Sequence, residues 1–140
     1  MRELLAPVFV QIALTFVLLV ATGTSRVRAL RRREVRIKDI ALGQPAWPER
    51  VTQIGRSFQN QLELPVLFYV AVVLAIVTAT GGWPMVPLAW AFVAARLAHA
   101  AVHVTSNVVT TRFYIYMVSM LVLAAMWGLI AVRVMTAPGA

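Results

Sequence analysis

The 140-residue sequence has no cysteine. That excludes disulfides, thiolate metal sites and a cysteine nucleophile, and leaves the redox compartment open. Acid is scarce as well: 5 Asp and Glu stand against 13 Lys and Arg, for a formal net charge of +8. Glu63 is the only acid after Glu49. Nucleophile elbow, phosphate loop and paired carboxylates are all missing, which removes the commonest hydrolase and nucleotide-handling motifs. There is no internal repeat and no low-complexity tract. The first apolar run, Leu4 to about Ala21, carries no charge at all.

What the chain does have is apolar surface. Hydrophobic residues make up 61% of it, and its mean hydropathy is +0.81. A soluble domain is nearer about half apolar, and one of this size cannot hide such an excess in one core. Lipid is the solvent that fits. The length allows one domain over residues 1–140, because four spans of about 20 residues use most of it.

The spans read as about 4–26, 49–80, 86–106 and 112–133. The first is long for the apolar core of a signal peptide, and basic residues follow it rather than a small-x-small cleavage site, so an uncleaved helix is expected. Gly43, Pro45 and Pro48 mark the polar stretch after it as a loop. Pro48 followed by Glu49 suits the first turn of the next helix. Pro65 is expected to bend that helix, since its ring removes a backbone hydrogen bond. Gly81, Gly82, Trp83 and Pro84 form an uncharged turn with an interfacial tryptophan.

The positive charge is concentrated where it orients the chain. Arg26, Arg28, Arg31, Arg32, Arg33, Arg36 and Lys38 follow the first apolar run. This is a positive-inside loop that can also hold anionic lipid headgroups. Without an aromatic platform or reading helix, it is not a nucleic-acid surface. The 26–50 loop and the third loop are therefore expected on the cytoplasmic side, in an all-α, up-and-down four-helix membrane bundle.

Three polar rows fall on these helices. Arg56, Asn60 and Glu63 are spaced i, i+4, i+7; Arg96, His99 and His103 are spaced i, i+3, i+7; Arg112, Tyr116 and Ser119 repeat i, i+4, i+7. Each set shares a helix face, and the topology brings all three to the cytoplasmic halves of the helices. Buried charge in a membrane is expensive, so such groups face one another or a watery cavity. Glu63 is expected to pair with Arg56, Arg96 or Arg112. Helix-to-helix glue with snorkelling arginines is the plain alternative. An excess of arginine over acid suits a carboxylate-bearing ligand better. Histidines four apart can share zinc, but the neighbouring arginines repel a cation and no metal is expected.

The segments RSFQNQLELP at 56–65, RLAHAAVH at 96–103, RFYIY at 112–116 and TGTSRVR at 22–28 together resemble the MAPEG superfamily, the membrane-associated proteins of eicosanoid and glutathione metabolism. The resemblance covers nearly the whole chain and is to a bacterial-type member, which implies a bacterial inner membrane. It implies a homotrimer of four-helix protomers binding glutathione as co-substrate between subunits, near the cytoplasmic side. By that resemblance Arg26, Arg56, Asn60, Glu63 and His99 hold or organise glutathione, and Arg112 stabilises its thiolate. Arg96 and His103 join the binding set through their shared row, and Tyr116 joins Arg112 as a catalytic candidate. Gln59 stands where the prostaglandin synthase of the family has arginine, and His103 where tyrosine is common. The function implied is a glutathione transferase or peroxidase acting on a lipophilic small molecule. A non-catalytic trimeric scaffold binding lipid or glutathione is the alternative. A four-helix exporter is disfavoured by the absence of an ionisable group in the first span.

Overall fold

The computed structural model describes residues 2–137. It is all-α, with four crossings long and apolar enough to span a membrane. Helix α1 covers Arg2–Arg31, α2 Glu49–Gln59, α3 Leu64–Val77, α4 Met85–Val104 and α5 Val109–Thr136. Helices α2 and α3 together form the second crossing.

Helix α1 is 30 residues long, about 45 Å at about 1.5 Å per residue, against a hydrocarbon core of about 30 Å. The sequence places its end near Arg26, yet the helix continues through Arg28 to Arg31. Arginine, alanine and leucine are good helix formers, and basic groups are favourable in a last turn. Three of the seven basic residues, Arg26, Arg28 and Arg31, are therefore on α1 rather than in the loop. The helix closes on Arg33, whose φ of 57° is left-handed. The Glu34 amide then donates to the Ala29 carbonyl and the Arg33 amide to Leu30, both at 3.0 Å, which is the Schellman arrangement. Val35 returns to pack beside Ala29 and Val51.

The second crossing is broken rather than merely bent. Pro48 caps α2 and Glu49 is its first helical residue. Asn60–Leu62 tightens into a 3-10 turn, and Glu63, at φ −102° and ψ −105°, leaves helical conformation altogether. Pro65 lies in the first turn of α3, where its missing amide costs nothing.

The crossings alternate in direction. At one end Arg50 donates to the Val104 carbonyl, and Gln53 donates to the His103 carbonyl at 2.6 Å. At the other end Arg133 donates to the carbonyls of Thr80 and Trp83. There Leu4 lies against Gly81, where a Cβ would come within 2.6 Å of Leu4 Cδ1. Helix α4 sits centrally, packing most extensively on α5 and also on α1. Its half nearest Gly81 builds the apolar core: Met85, Ala89, Phe92 and Val93 meet Phe68, Val72, Leu123 and Met126. Phe68 and Phe92 stack with ring centroids 4.6 Å apart.

Candidate functional site

The inward face of α4 does not change register after Val93. It changes chemistry. Arg96, His99 and His103 continue the buried face at 0%, 3% and 2% exposure. Arg96 Nη2 donates to the Asn60 carbonyl at 2.8 Å, just before the chain leaves helical conformation. Its guanidinium carbon lies 5.8 Å from the Tyr116 ring centroid. Its Nε and Nη1 are buried with no partner. The His99 ring stands 5.7 Å from His103 and 5.9 Å from Tyr116, centroid to centroid. Nδ1 of each histidine is also buried and unpartnered.

Helix α5 supplies the opposite wall. Its first helical residue is Val109, so Arg112 belongs to the first turn rather than opening the helix. Arg112 Nη1 donates to the Asn107 side-chain oxygen, while its Nε is buried without a partner. Asn107 has a left-handed φ of 53°, and its amide closes α4 by donating to the Val102 carbonyl at 2.8 Å. One residue thus ends α4 and holds the guanidinium of Arg112. Asn60, His99, Val109, Arg112, Phe113 and Tyr116 line a common cavity of about 200 Å³. Val109 and Phe113 are largely exposed along it, which gives the cavity an apolar side. Ser119 is buried but bonds the Tyr116 carbonyl of its own helix at 2.7 Å. It does not extend the site.

Arg26 and Arg56 line a different cavity, of about 170 Å³, with Trp47, Thr52, Gly55 and Gln59. Arg26 stacks over Trp47 at 5.3 Å, beside Gly55, where a Cβ would make only ordinary contact with Arg26 Nη2 at 3.6 Å. Glu63 is exposed. The expected pairing of Glu63 with an arginine is corrected by the ion pairs among the described residues, Arg32–Glu34 at 3.8 Å and Arg36–Asp39 at 2.7 Å. The i, i+7 register that puts Glu63 beneath Arg56 presumes an unbroken helix, and the 3-10 turn and non-helical Glu63 interrupt it.

One chain therefore gathers Asn60, Arg96, His99, His103, Arg112 and Tyr116; Arg56 and Glu63 stand at the margin of this set, close enough to act electrostatically on His103 and Arg96 respectively, and Arg26 lies in the second cavity. The gathered set contains two arginines and no carboxylate, a composition that takes an anion. Among the described residues no group of three or more His, Asp or Glu gathers at a potential metal site. Sequence reasoning missed Asn107. It also missed Gln11, whose side chain is fully buried and donates to Gln61 Oε1 at 3.0 Å. The signal for Gln11 is present in the sequence: a lone amide inside an apolar run is rarely left without a partner.

The model of the MAPEG family matches residues 4–132. No curated protein and no solved structure matches the chain.

Proposed function

Because the chain belongs to the MAPEG family, we propose that it is a membrane-bound glutathione-dependent transferase or peroxidase acting on lipophilic electrophiles. The observation that carries this reading is the cavity shared by Asn60, His99, Arg112 and Tyr116, backed by a fully buried Arg96. Buried Arg96 Nε and Nη1 and Arg112 Nε lack acceptors, which fits a ligand bringing carboxylates and a thiol. Glutathione supplies a thiol whose anion is the nucleophile. Arg112 is the cation that favours that anion, since a free thiol of pKa about 8.5 is mostly protonated at neutral pH. The Tyr116 hydroxyl is a second donor for the sulfur. Asn60, Glu63, Arg96, His99 and His103 hold the rest of the tripeptide.

Arg26 and Arg56 line a separate cavity within one chain. Assembly as a homotrimer, with the site between subunits, is the reading that unites Arg26 with Arg112. The exposed Val109 and Phe113 suit an apolar substrate arriving from the membrane. The basic 26–50 loop then faces the cytoplasm of an inner membrane, where glutathione is available.

The test is conjugation of glutathione to a chromogenic aryl halide, and reduction of a lipid hydroperoxide, by detergent-purified protein. Arg112→Ala is expected to lower turnover about 100- to 1000-fold, as removal of one anion-stabilising donor does, with Arg112→Lys falling between. Turnover indifferent to both Arg112→Ala and Arg56→Ala would sink the assignment. A non-catalytic scaffold is the second reading. Glutathione binding with no turnover of either electrophile would select it.

A further inference from the structure

Helix α2 belongs to the second crossing, yet it is fastened to α4 at both of its ends. Where it closes, the Asn60 carbonyl receives Arg96 at 2.8 Å. Where it starts, Arg50 and Gln53 are spaced i, i+3 and share a helix face. Gln53 Nε2 donates to the His103 carbonyl at 2.6 Å and to the Thr105 carbonyl at 3.4 Å. Arg50 Nη1 donates to the Val104 carbonyl between them. Three consecutive carbonyls at the end of α4 therefore receive side-chain donors from another helix.

An α-helix leaves its last carbonyls without partners of its own, and the negative end of its dipole favours a cation such as Arg50. The orientation of the Gln53 amide is forced, because carbonyls only accept and the amide nitrogen must face them. Immediately beyond, the chain turns. Only Ser106 separates the clamped Thr105 from Asn107. Asn107, at a left-handed φ of 53°, donates its amide to the Val102 carbonyl at 2.8 Å and receives Arg112 Nη1 on its side-chain oxygen. Movement of the clamped carbonyls thus passes through one short turn to a guanidinium on the cavity wall. Because Glu63 leaves helical conformation, α2 can follow α4 independently of α3.

We propose that Gln53, with Arg50 beside it, is a positioning residue for Arg112. It fixes the end of α4 and, through Asn107, sets where the Arg112 guanidinium stands. Gln53 lines neither the cavity of Arg112 and Tyr116 nor that of Arg26 and Arg56, so it acts through the backbone of α4 alone. The catalytic consequence of the clamp rests on the glutathione reading of Arg112.

The full chain is purified in detergent with Gln53→Met, which keeps length but removes the donor, and Gln53→Lys, which restores one. Two measurements need no glutathione: amide hydrogen exchange over residues 103–108, and labelling of Arg112 by arginine-selective phenylglyoxal, both read by peptide mass spectrometry. Two need it: the ultraviolet absorbance of bound glutathione thiolate, and kcat against KM for glutathione with an aryl halide. Gln53→Met is expected to speed exchange and Arg112 labelling, and to lower thiolate absorbance and kcat, each by about threefold to tenfold, the factor of one lost hydrogen bond. KM should stay within about twofold, since a group made to act on the thiolate alone contributes little to ground-state binding. Gln53→Lys should recover most of the loss. A structural defect alone lowers kcat with the folded fraction and leaves the thiolate per bound glutathione unchanged. Should Gln53→Met not fold, Arg50→Met carries the same comparison with the same signs. Unchanged exchange and labelling would overturn the proposal. So would faster exchange with native thiolate and kcat, or a lysine variant no better than the methionine one. A native chain that binds no glutathione, while exchange and Arg112 labelling still respond to Gln53→Met, would leave the clamp on Arg112 standing and refute the glutathione reading instead.

Discussion

The two halves of α4 are one helix with one buried face, and they solve opposite problems. From Met85 to Val93 that face is apolar and meets Phe68, Val72 and Met126. From Arg96 to His103 it is equally buried but basic, with four unpartnered nitrogens on Arg96, His99 and His103. Packing explains the first half without remainder. It cannot explain the second, because burying a cation without a counter-charge costs several kcal/mol, about 2.5 to 3.5 by insertion scales at a helix centre. A buried ionic group is weak evidence of stability, and apolar replacements of similar volume are often neutral or better. The contrast separates residues that hold the bundle from residues held by it.

The largest effect that could break this contrast comes from a matched pair of substitutions. Phe92→Ala removes a stacked, fully buried ring and is expected to cost about 3–5 kcal/mol, read by thermal unfolding in detergent. Arg96→Met, one turn on, gives up one bond to the Asn60 carbonyl and is expected to change stability by no more than about 1 kcal/mol. Glutathione affinity should respond in the opposite order, falling at least about tenfold in Arg96→Met. If Arg96→Met proves as destabilising as Phe92→Ala, the basic half is structural glue and the distinction fails.

The helices and the inward rows are legible in the sequence because they depend on local period alone. Hydropathy places the four crossings, and i, i+3, i+7 spacing puts Arg96, His99 and His103 on one face. What escapes depends on the backbone or on partners far along the chain. Glu63 leaves the Arg56 row because the helix breaks there, which no periodicity records. Proline at 65 announces a disturbance without saying whether it is a bend or a break. Arg33 ends α1 in a conformation usually given to glycine, so composition gives no warning of it. Gln11 finds its partner 50 residues away in Gln61.

That amide pair offers the next test, since Gln61 directly follows the residue whose carbonyl receives Arg96. Gln11 and Gln61 are both buried, and Gln61 also donates to the Ser57 carbonyl at 3.1 Å. Gln11→Leu strands the Gln61 oxygen and is expected to cost about 1–2 kcal/mol, less than the full soluble-protein penalty because polar groups in a membrane find substitutes. Adding Gln61→Leu should recover part of that loss, as removing both partners does. A double variant less stable than the sum of the singles would mean that the pair organises the helix break, tying the apolar half to the basic one.

The finest separation lies at Asn107, where closing α4 and holding Arg112 are distinct jobs of one side chain. Asn107→Gly keeps access to a left-handed φ at no steric cost and keeps the amide bond to Val102, but loses the oxygen that receives Arg112. Stability should stay within about 0.5 kcal/mol, as for surface changes in general. Turnover should fall about tenfold, equivalent to about 1.4 kcal/mol of barrier. Asn107→Ala should show the same loss of turnover together with a further stability cost of about 1 kcal/mol, because its Cβ crowds the left-handed conformation. Equal turnover in Asn107→Gly and the native chain would mean that Arg112 is positioned by its ligand. Equal stability of the glycine and alanine variants would mean that the turn relaxes out of the left-handed conformation, so that α4 can close without residue 107.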